Sequence, residues 1–288
     1  QFSMIAIALG LGTALGTPAS DFASRHEQPV VVAHRGASAL APENTVAAIE
    51  AAVAGGASAV EFDIRQTVDG EIVVIHDATL GRTTNGRGRV NQTTWSTMKA
   101  LDAGSWFGPT FTGEPVPNLG DALDALGERA IAAIEIKTKG EVIPRIKREL
   151  SERGMLDRAI IFSFLPRQIR AAREHCPSIP ALLLIDPPNG SSLYPPDTIV
   201  RAVASGATLV GLKGTSTTPE IVAQAHARGL PVFVYTVDEP AQVKAMVDAG
   251  VDGIITNKPR ATETRIAVHG STSAQRKDSE APKGADDQ

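Results

Sequence analysis

Cysteine is nearly absent from this chain. Cys176 stands alone in 288 residues, which excludes an intramolecular disulfide and a cysteine-built metal cluster. Stability has to come from packing. Aromatic residues make up only 4%, too few for a platform that stacks the bases of single-stranded nucleic acid. Positive charge is not in excess: 28 Lys and Arg face 32 Asp and Glu, a net charge of −4 with a pI near 5.9. Nothing in the electrostatics calls for nucleic acid as a partner. A membrane-length apolar run is missing as well. The N-terminal MIAIALGLGTALG, positions 4–16, has 13 residues, against about 20 for a spanning helix. What is present is a composition 42% hydrophobic and 21% charged, which supplies a full core and excludes global disorder.

The N-terminal run is followed by Thr17-Pro18-Ala19-Ser20. Its length and the small residues after it suit the apolar core and cleavage site of an export signal, although the basic flank is missing. Residues 1–28 are read as a truncated signal peptide or a leader of other origin, outside the fold. A signal implies export to a periplasmic or extracellular space; otherwise the expectation is cytoplasmic. From about Val268 the chain is rich in Ser, Lys, Asp and Ala without apolar periodicity, so 267–288 is expected to be a disordered tail. One domain over 29–266 remains.

Across that span short apolar runs alternate with amphipathic stretches. The runs are Val30–Ala33, Ala59–Ile64, Ile131–Ile136, Ala159–Phe162, Ala181–Ile185, Ala207–Leu212, Val232–Tyr235 and Gly253–Thr256. Most are continuously apolar, the pattern of parallel strands buried on both faces. Helical stretches lie between them, among them Thr45–Ala54, Glu141–Arg153, Pro219–Arg228 and Ala241–Asp248. Gly55, Gly154, Gly229 and Gly250 fit their C-terminal caps. Eight such repeats match an α/β fold of the (β/α)8 TIM-barrel class. A doubly wound open sheet more often has about five or six strands.

One interval is too long for a single repeat. Between Glu61 and Glu135 sits a ninth candidate strand, Ile72–Ile75, just after Asp69-Gly70, a strong hairpin signal. A two-residue turn there pairs positions whose numbers sum to 139, which sets His76 opposite Asp63. Residues 78–117 then form a small insertion after the second strand, at the end of a barrel where catalysis occurs. Its Trp95, Met98, Leu101, Trp106, Phe107 and Phe111 either form an apolar rim around the site or pack the insertion onto the barrel.

The expected strand ends are unusually polar. They carry His34-Arg35-Gly36, Glu61-Phe62-Asp63, His76-Asp77 and Glu135-Ile136-Lys137. Side chains two apart on a strand share a face, so Glu61 and Asp63 point together, as do Glu135 and Lys137. Three acids at one barrel mouth repel unless a positive charge lies between them. An all-oxygen set suits a hard divalent cation better than zinc; ion pairs with Arg35 and Lys137 are the plainer alternative. His34 and His76 supply groups that titrate near neutrality, as an acid and a base require. Arg35 and Lys137 offer donors and charge for phosphate oxygens. The assembled set reads as cation-assisted hydrolysis of a phosphodiester.

These residues resemble the glycerophosphodiester phosphodiesterase family. The likeness runs through His34-Arg35-Gly36, Pro42-Glu43-Asn44-Thr45, Glu61-Phe62-Asp63 and His76-Asp77. It continues through Arg82-Thr83-Thr84-Asn85-Gly86, Leu101-Asp102-Ala103-Gly104, Glu135-Ile136-Lys137 and Val251 to Asn257, over about residues 30–260 in order. The resemblance implies a (β/α)8 barrel that cleaves glycerophosphocholine, glycerophosphoethanolamine and similar small diesters to sn-glycerol 3-phosphate and an alcohol. It implies His34 and His76 as the acid–base pair, and Glu61, Asp63 and Glu135 as ligands of Ca2+, with Mg2+ as the other candidate. Arg35 and Lys137 would hold the phosphate, and Glu43 and Asn44 would orient the site. Where the family often has Trp-Thr-Val, this chain has Tyr235-Thr236-Val237. An alternative is cleavage of lysophospholipids at the same site; a non-catalytic phosphate-binding barrel fits less well with both histidines present. Lys213 is a further candidate for the mouth, and oligomeric state is left open.

Overall fold

The structure, a computed structural model, describes residues 19–22, 24, 28–189 and 191–280. The apolar run at 4–16 and residues 281–288 lie outside the described residues. Nine strands occur among the described residues: β1 Val30–Ala33, β2 Ala59–Gln66, β3 Ile72–Val74, β4 Ile131–Ile136, β5 Ala159–Ser163, β6 Ala181–Ile185, β7 Leu209–Lys213, β8 Val232–Tyr235 and β9 Gly253–Thr256. All but β3 pair in parallel, β1 to β2, β2 to β4 and onward to β9, which returns to β1 and closes the barrel. Closure leaves both strand faces covered, which is why the runs carry so few polar residues. Alternate residues divide the core in two. Val32, Ala59, Ala133, Phe162 and Phe233 fill the barrel interior, while Val31, Ala33, Phe62, Ile134 and Val234 lie under the outer helices. No helix among the described residues is long and apolar enough to cross a membrane.

Three details depart from the sequence reading. The β2–β3 hairpin pairs Ile64 with Val74 and Gln66 with Ile72, so paired numbers sum to 138 and Asp63 faces Ile75. The turn has three residues, Val68-Asp69-Gly70, with Gly70 at φ 88, the arrangement in which a left-handed glycine adds a bulge. Asp69 serves elsewhere, accepting the Trp95 amide. Gly55 caps helix Val46–Ala54 as read, and Gly56 after it, at φ 90, is the left-handed residue. At the N-terminus, Ala19–Phe22 forms a helix inside the segment read as a leader. Ala19 and Phe22 are buried in the barrel's interior cluster, the Ala19 amide reaches the Asp157 carbonyl, and the Phe22 ring lies 6.4 Å from that of Phe233. At the other end, helix Pro259–Glu280 continues through positions read as tail. Buried Thr262 and Ile266 anchor its first turns, and extending a formed helix adds a hydrogen bond for each residue fixed.

The insertion has its own core. Met98 is buried with Val73, Ile75, Leu80, Val90 and Val116, and Trp95 and Leu101 pack on the same cluster. Trp106, Phe107 and Phe111 stack edge-on, centroids 5.7 and 5.5 Å apart.

Candidate active site

The site begins at a tight junction. Gly36, at φ 82, lies so close to helix Val46–Ala54 that a Cβ would sit 2.5 Å from the Ala48 carbonyl carbon. Only glycine permits both the backbone turn and that contact. The loop so held contains two non-glycine residues at positive φ, Arg35 at 56 and Asn44 at 60, a strain that persists where neighbouring structure enforces it. The Arg35 amide donates to Glu61 Oε2 at 2.8 Å. Asn44 grips Asp63 twice, Nδ2 donating to Oδ2 at 2.8 Å and Oδ1 accepting the Asp63 amide at 2.9 Å.

Glu61, Asp63 and Glu135 project inward from β2 and β4, are buried, and bring ligand oxygens within 4.8 Å of one another. Asp63 and Glu135 are register neighbours. Glu61 Oε1 is buried without a hydrogen-bond partner. Lys137 Nζ lies 2.5 Å from Glu135 Oε1 and 3.2 Å from Asp63 Oδ1, and Arg35 Nε lies 3.3 Å from Asp63 Oδ2. Burial and the charges of Asp63 and Glu135 hold Glu61 well above the carboxylate range. Burial and Asp63 push Glu135 up to about 7. Burial opposes ionisation of Asp63 too, but Lys137 and Arg35 outweigh it and bring that group down to about 2. Two carboxyls that hold protons beside an ionised third, one oxygen lacking any partner, form a set that a divalent cation fits.

Both histidines are tied through Nδ1. His34 Nδ1 meets Asn257 Oδ1 at 2.7 Å; Asn257 Nδ2 donates to Asp238, so its oxygen faces the ring and Nδ1 carries the proton. His76 Nδ1 donates to Asp77 Oδ1 at 2.7 Å. Nε2 is left as the uncommitted nitrogen in each ring. Burial and Arg35 lower His34 to about 4, and burial also lowers His76. Asp77 is held ionised by Arg82, which donates to Asp77 and forks onto Glu43; Glu43 in turn accepts from Arg35. A chain of charge therefore links His76 to Arg35 through Asp77, Arg82 and Glu43.

A cavity of about 190 Å³ joins His34, Arg35, Glu61, His76, Glu135 and Lys137 with an apolar wall of Phe162, Phe164, Leu184, Tyr235 and Ile255. Lys137 Nζ lies 5.3 Å from the centre of Phe164, which meets Tyr235 edge-on. Tyr235 thus fills the aromatic position flagged in the sequence. Asp63 is buried just behind this lining, and Glu43 and Asn44 support it. None of the six large apolar residues of the insertion lines the cavity, and neither does Lys213, which is exposed. A larger hollow between helices Pro240–Asp248 and Pro259–Glu280 lies away from this chemistry. Asp238, Asn257, Arg82 and Phe164 carried no assigned role in the sequence; Arg82 and Asn257, like Asp77, stand within motifs of the family resemblance, whereas Asp238 and Phe164 gave no such signal.

Cations suited to an anion and two histidines suited to proton transfer meet here at one barrel mouth, a combination that fits a phosphoester hydrolase. Comparison with known proteins narrows the class. The sequence profile of the glycerophosphoryl diester phosphodiesterase family matches residues 34–261. A glycerophosphodiester phosphodiesterase of Caldanaerobacter subterraneus is 37% identical over 235 residues, 80% of this chain and 94% of that protein. A phosphodiesterase of Oleispira antarctica, solved in complex with the product sn-glycerol-3-phosphate, has a TM-score of 0.77 at 26% identity, covering 83% of this chain and 97% of its own. A glycerophosphodiester phosphodiesterase of Agrobacterium tumefaciens has a TM-score of 0.69 at 30% identity, over 81% and 97%. The chain belongs to the glycerophosphoryl diester phosphodiesterase family and is an enzyme of that class.

Proposed function

We propose that the enzyme hydrolyses small glycerophosphodiesters, such as glycerophosphocholine and glycerophosphoethanolamine, to sn-glycerol 3-phosphate and the alcohol. The observation that carries this reading is the pair of histidines with committed Nδ1 atoms, lining one small cavity with Arg35, Lys137 and the carboxylate trio. The product in the Oleispira antarctica complex is the one this reaction releases.

Arg35 presents a fork and Lys137 a point charge to the phosphate oxygens, which orients phosphorus and stabilises the charge that develops on those oxygens. His34, kept neutral by burial and Arg35, accepts the proton of the attacking hydroxyl at Nε2. His76, whose imidazolium Asp77 stabilises, gives its Nε2 proton to the departing alcohol oxygen as the P–O bond breaks. Glu61, Asp63 and Glu135 would hold a divalent cation, which supplies Lewis-acid polarisation of the phosphate. The flexible all-oxygen set favours Ca2+ over Mg2+. Export under the apolar run at 4–16 accords with Ca2+; a cytoplasmic setting accords with Mg2+. Cleavage of lysophospholipids draws less support, because the insertion's apolar residues do not reach the cavity.

The test is release of glycerol 3-phosphate from glycerophosphocholine after EDTA treatment and after restoring each cation. Release should return with the cation, and His34→Ala and His76→Ala should each lower it about 10²–10⁴-fold. No release with either ion would overturn the small-diester reading and direct the assay to lysophosphatidylcholine.

A further inference from the structure

Next to the catalytic cavity lies a cleft of about 520 Å³ that shares Lys137 with it. Its walls come from three places: Arg65 and Gln66 at the end of β2, Thr138 to Gly140 after β4, and Ala78 with Arg89 to Asn91 in the insertion. Four cations, Arg65, Arg89, Lys137 and Lys139, line it, and no carboxylate does. Lys137 is engaged by Glu135 and Asp63. Arg65 commits one nitrogen, Nε, to the His76 carbonyl at 2.8 Å, which leaves the guanidinium fork free and fixes its direction. Among the described residues, no carboxylate lies within ion-pair distance of Arg89 or Lys139. Arg89 and Lys139, two cations without an ion-pair partner among the described residues, thus face one concavity lined by no carboxylate, an arrangement that favours an anionic occupant.

The catalytic cavity, at about 190 Å³, is smaller than the roughly 300–1,000 Å³ of pockets that enclose a whole small ligand. A diester seated on Arg35 and Lys137 would therefore extend one half past the rim, and the basic cleft begins there, at Lys137. The adjoining hollow across Phe164 and Leu184 is mainly apolar and sets Asp186 beside Arg170 and Arg201, so it is not selective for anions in the same way.

We propose that this basic cleft binds a second negative charge on the leaving half of the substrate, so that the enzyme prefers diesters whose alcohol is itself phosphorylated. The proposal rests on the phosphodiesterase reading above and names a substrate class for it. The chemistry is unchanged: a hydroxyl adds to the scissile phosphorus, the P–O bond to the alcohol breaks, and that oxygen takes the proton. The leaving alcohol carries its second phosphate away intact. Arg65, Arg89 and Lys139 would recognise that phosphate through charge and the arginine forks.

The experiment compares kcat/KM for bis(glycerophospho)glycerol, whose leaving half carries a second phosphodiester, with that for glycerophosphocholine. Wild-type enzyme and an Arg89→Gln/Lys139→Gln double variant are measured at low and moderate ionic strength. The wild type should favour the polyanion by about tenfold or more at low salt, and the double variant should lose most of that ratio. The wild-type ratio should also fall as salt rises. Arg89→Lys, which keeps the charge, should retain most of the preference, and turnover of glycerophosphocholine by each variant serves as the folding control. An unchanged ratio in the double variant, or a wild-type preference for the choline ester, would overturn the proposal while leaving the phosphodiesterase reading intact. Failure of the wild type on both substrates would instead overturn that reading, and this proposal with it.

Discussion

Each histidine shows the cavity only one nitrogen because the other is committed, and the two commitments differ in charge. His34 leans on a neutral amide, Asn257, itself held by Asp238; His76 leans on a carboxylate, Asp77, itself held by Arg82. An amide fixes a tautomer and favours the imidazolium only through a neutral hydrogen bond, whereas a carboxylate adds a full charge. Asn257→Leu should therefore lower kcat about 10–100-fold by freeing the His34 ring, a size typical of lost orienting partners. Asp77→Asn should instead move the basic limb of the pH–rate profile to lower pH, because His76 as acid loses the charge that stabilises its proton. Profiles of kcat for both variants separate the two roles. An unshifted profile in Asp77→Asn would contradict the assignment of His76 as acid.

At the scale of elements, the junction between β1 and helix Val46–Ala54 carries the most function per residue. It holds Arg35 and Asn44 in left-handed backbone and aims them at Glu61 and Asp63. Gly36 is its hinge point. Gly36→Ala adds a methyl 2.5 Å from the Ala48 carbonyl carbon at φ 82, so steric overlap and backbone strain act together. The expected cost is at least about 2 kcal/mol, read as a fall in urea midpoint with loss of activity from the displaced loop. Native stability in that variant would show that the loop relaxes freely, and the argument for enforced geometry would fail. The hairpin is more tolerant by construction. β2 outruns its pairing with β4 by two residues, Arg65 and Gln66, and pairs with β3 from Ile64 onward, which carries His76 to the mouth from outside the closed sheet.

For the whole molecule, two couplings are measurable. Burial keeps a proton on Glu135, pushed up to about 7, and on Glu61, held well above the carboxylate range, in the cation-free fold, whereas the unfolded chain releases both above about 4.5. Their stabilising contribution is complete below that value and is lost as pH rises through about 7. A bound cation takes the place of those protons. The rise in Tm on adding Ca2+ should thus be small at pH 5 and grow toward pH 8; an equal rise at both would exclude the carboxylate trio as the cation site. At the opposite end of the barrel, Phe22 is packed in the interior cluster against Phe233. Phe22→Ala should cost about 3–5 kcal/mol of stability and leave KM near wild type, since Phe22 does not line the catalytic cavity. Urea denaturation and steady-state kinetics on one preparation check both halves.

Much of this was legible before any fold was known. Strand identity and the inward aim of Glu61, Asp63 and Glu135 follow from a period of two, which is a local property of the chain. So do the barrel class, from eight repeats of apolar run and amphipathic helix, and the pairing of motifs at strand ends. The hairpin register was not local, because a left-handed Gly70 and the demand of the Trp95 amide for Asp69 chose a three-residue turn over a two-residue one. Nor was the hydrogen bond from His34 to Asn257, which crosses 223 residues and exists only because β9 closes on β1. The link from Arg82 to both Glu43 and Asp77, the seat of Phe22 and the basic cleft beside Lys137 have the same origin. The sequence by itself determined which residues carry chemistry and which way the strands present them, because alternation and capping act over a few residues. Only the tertiary structure decided which partners orient those residues and what lies next to the cavity, because those contacts form when distant strands close into one barrel.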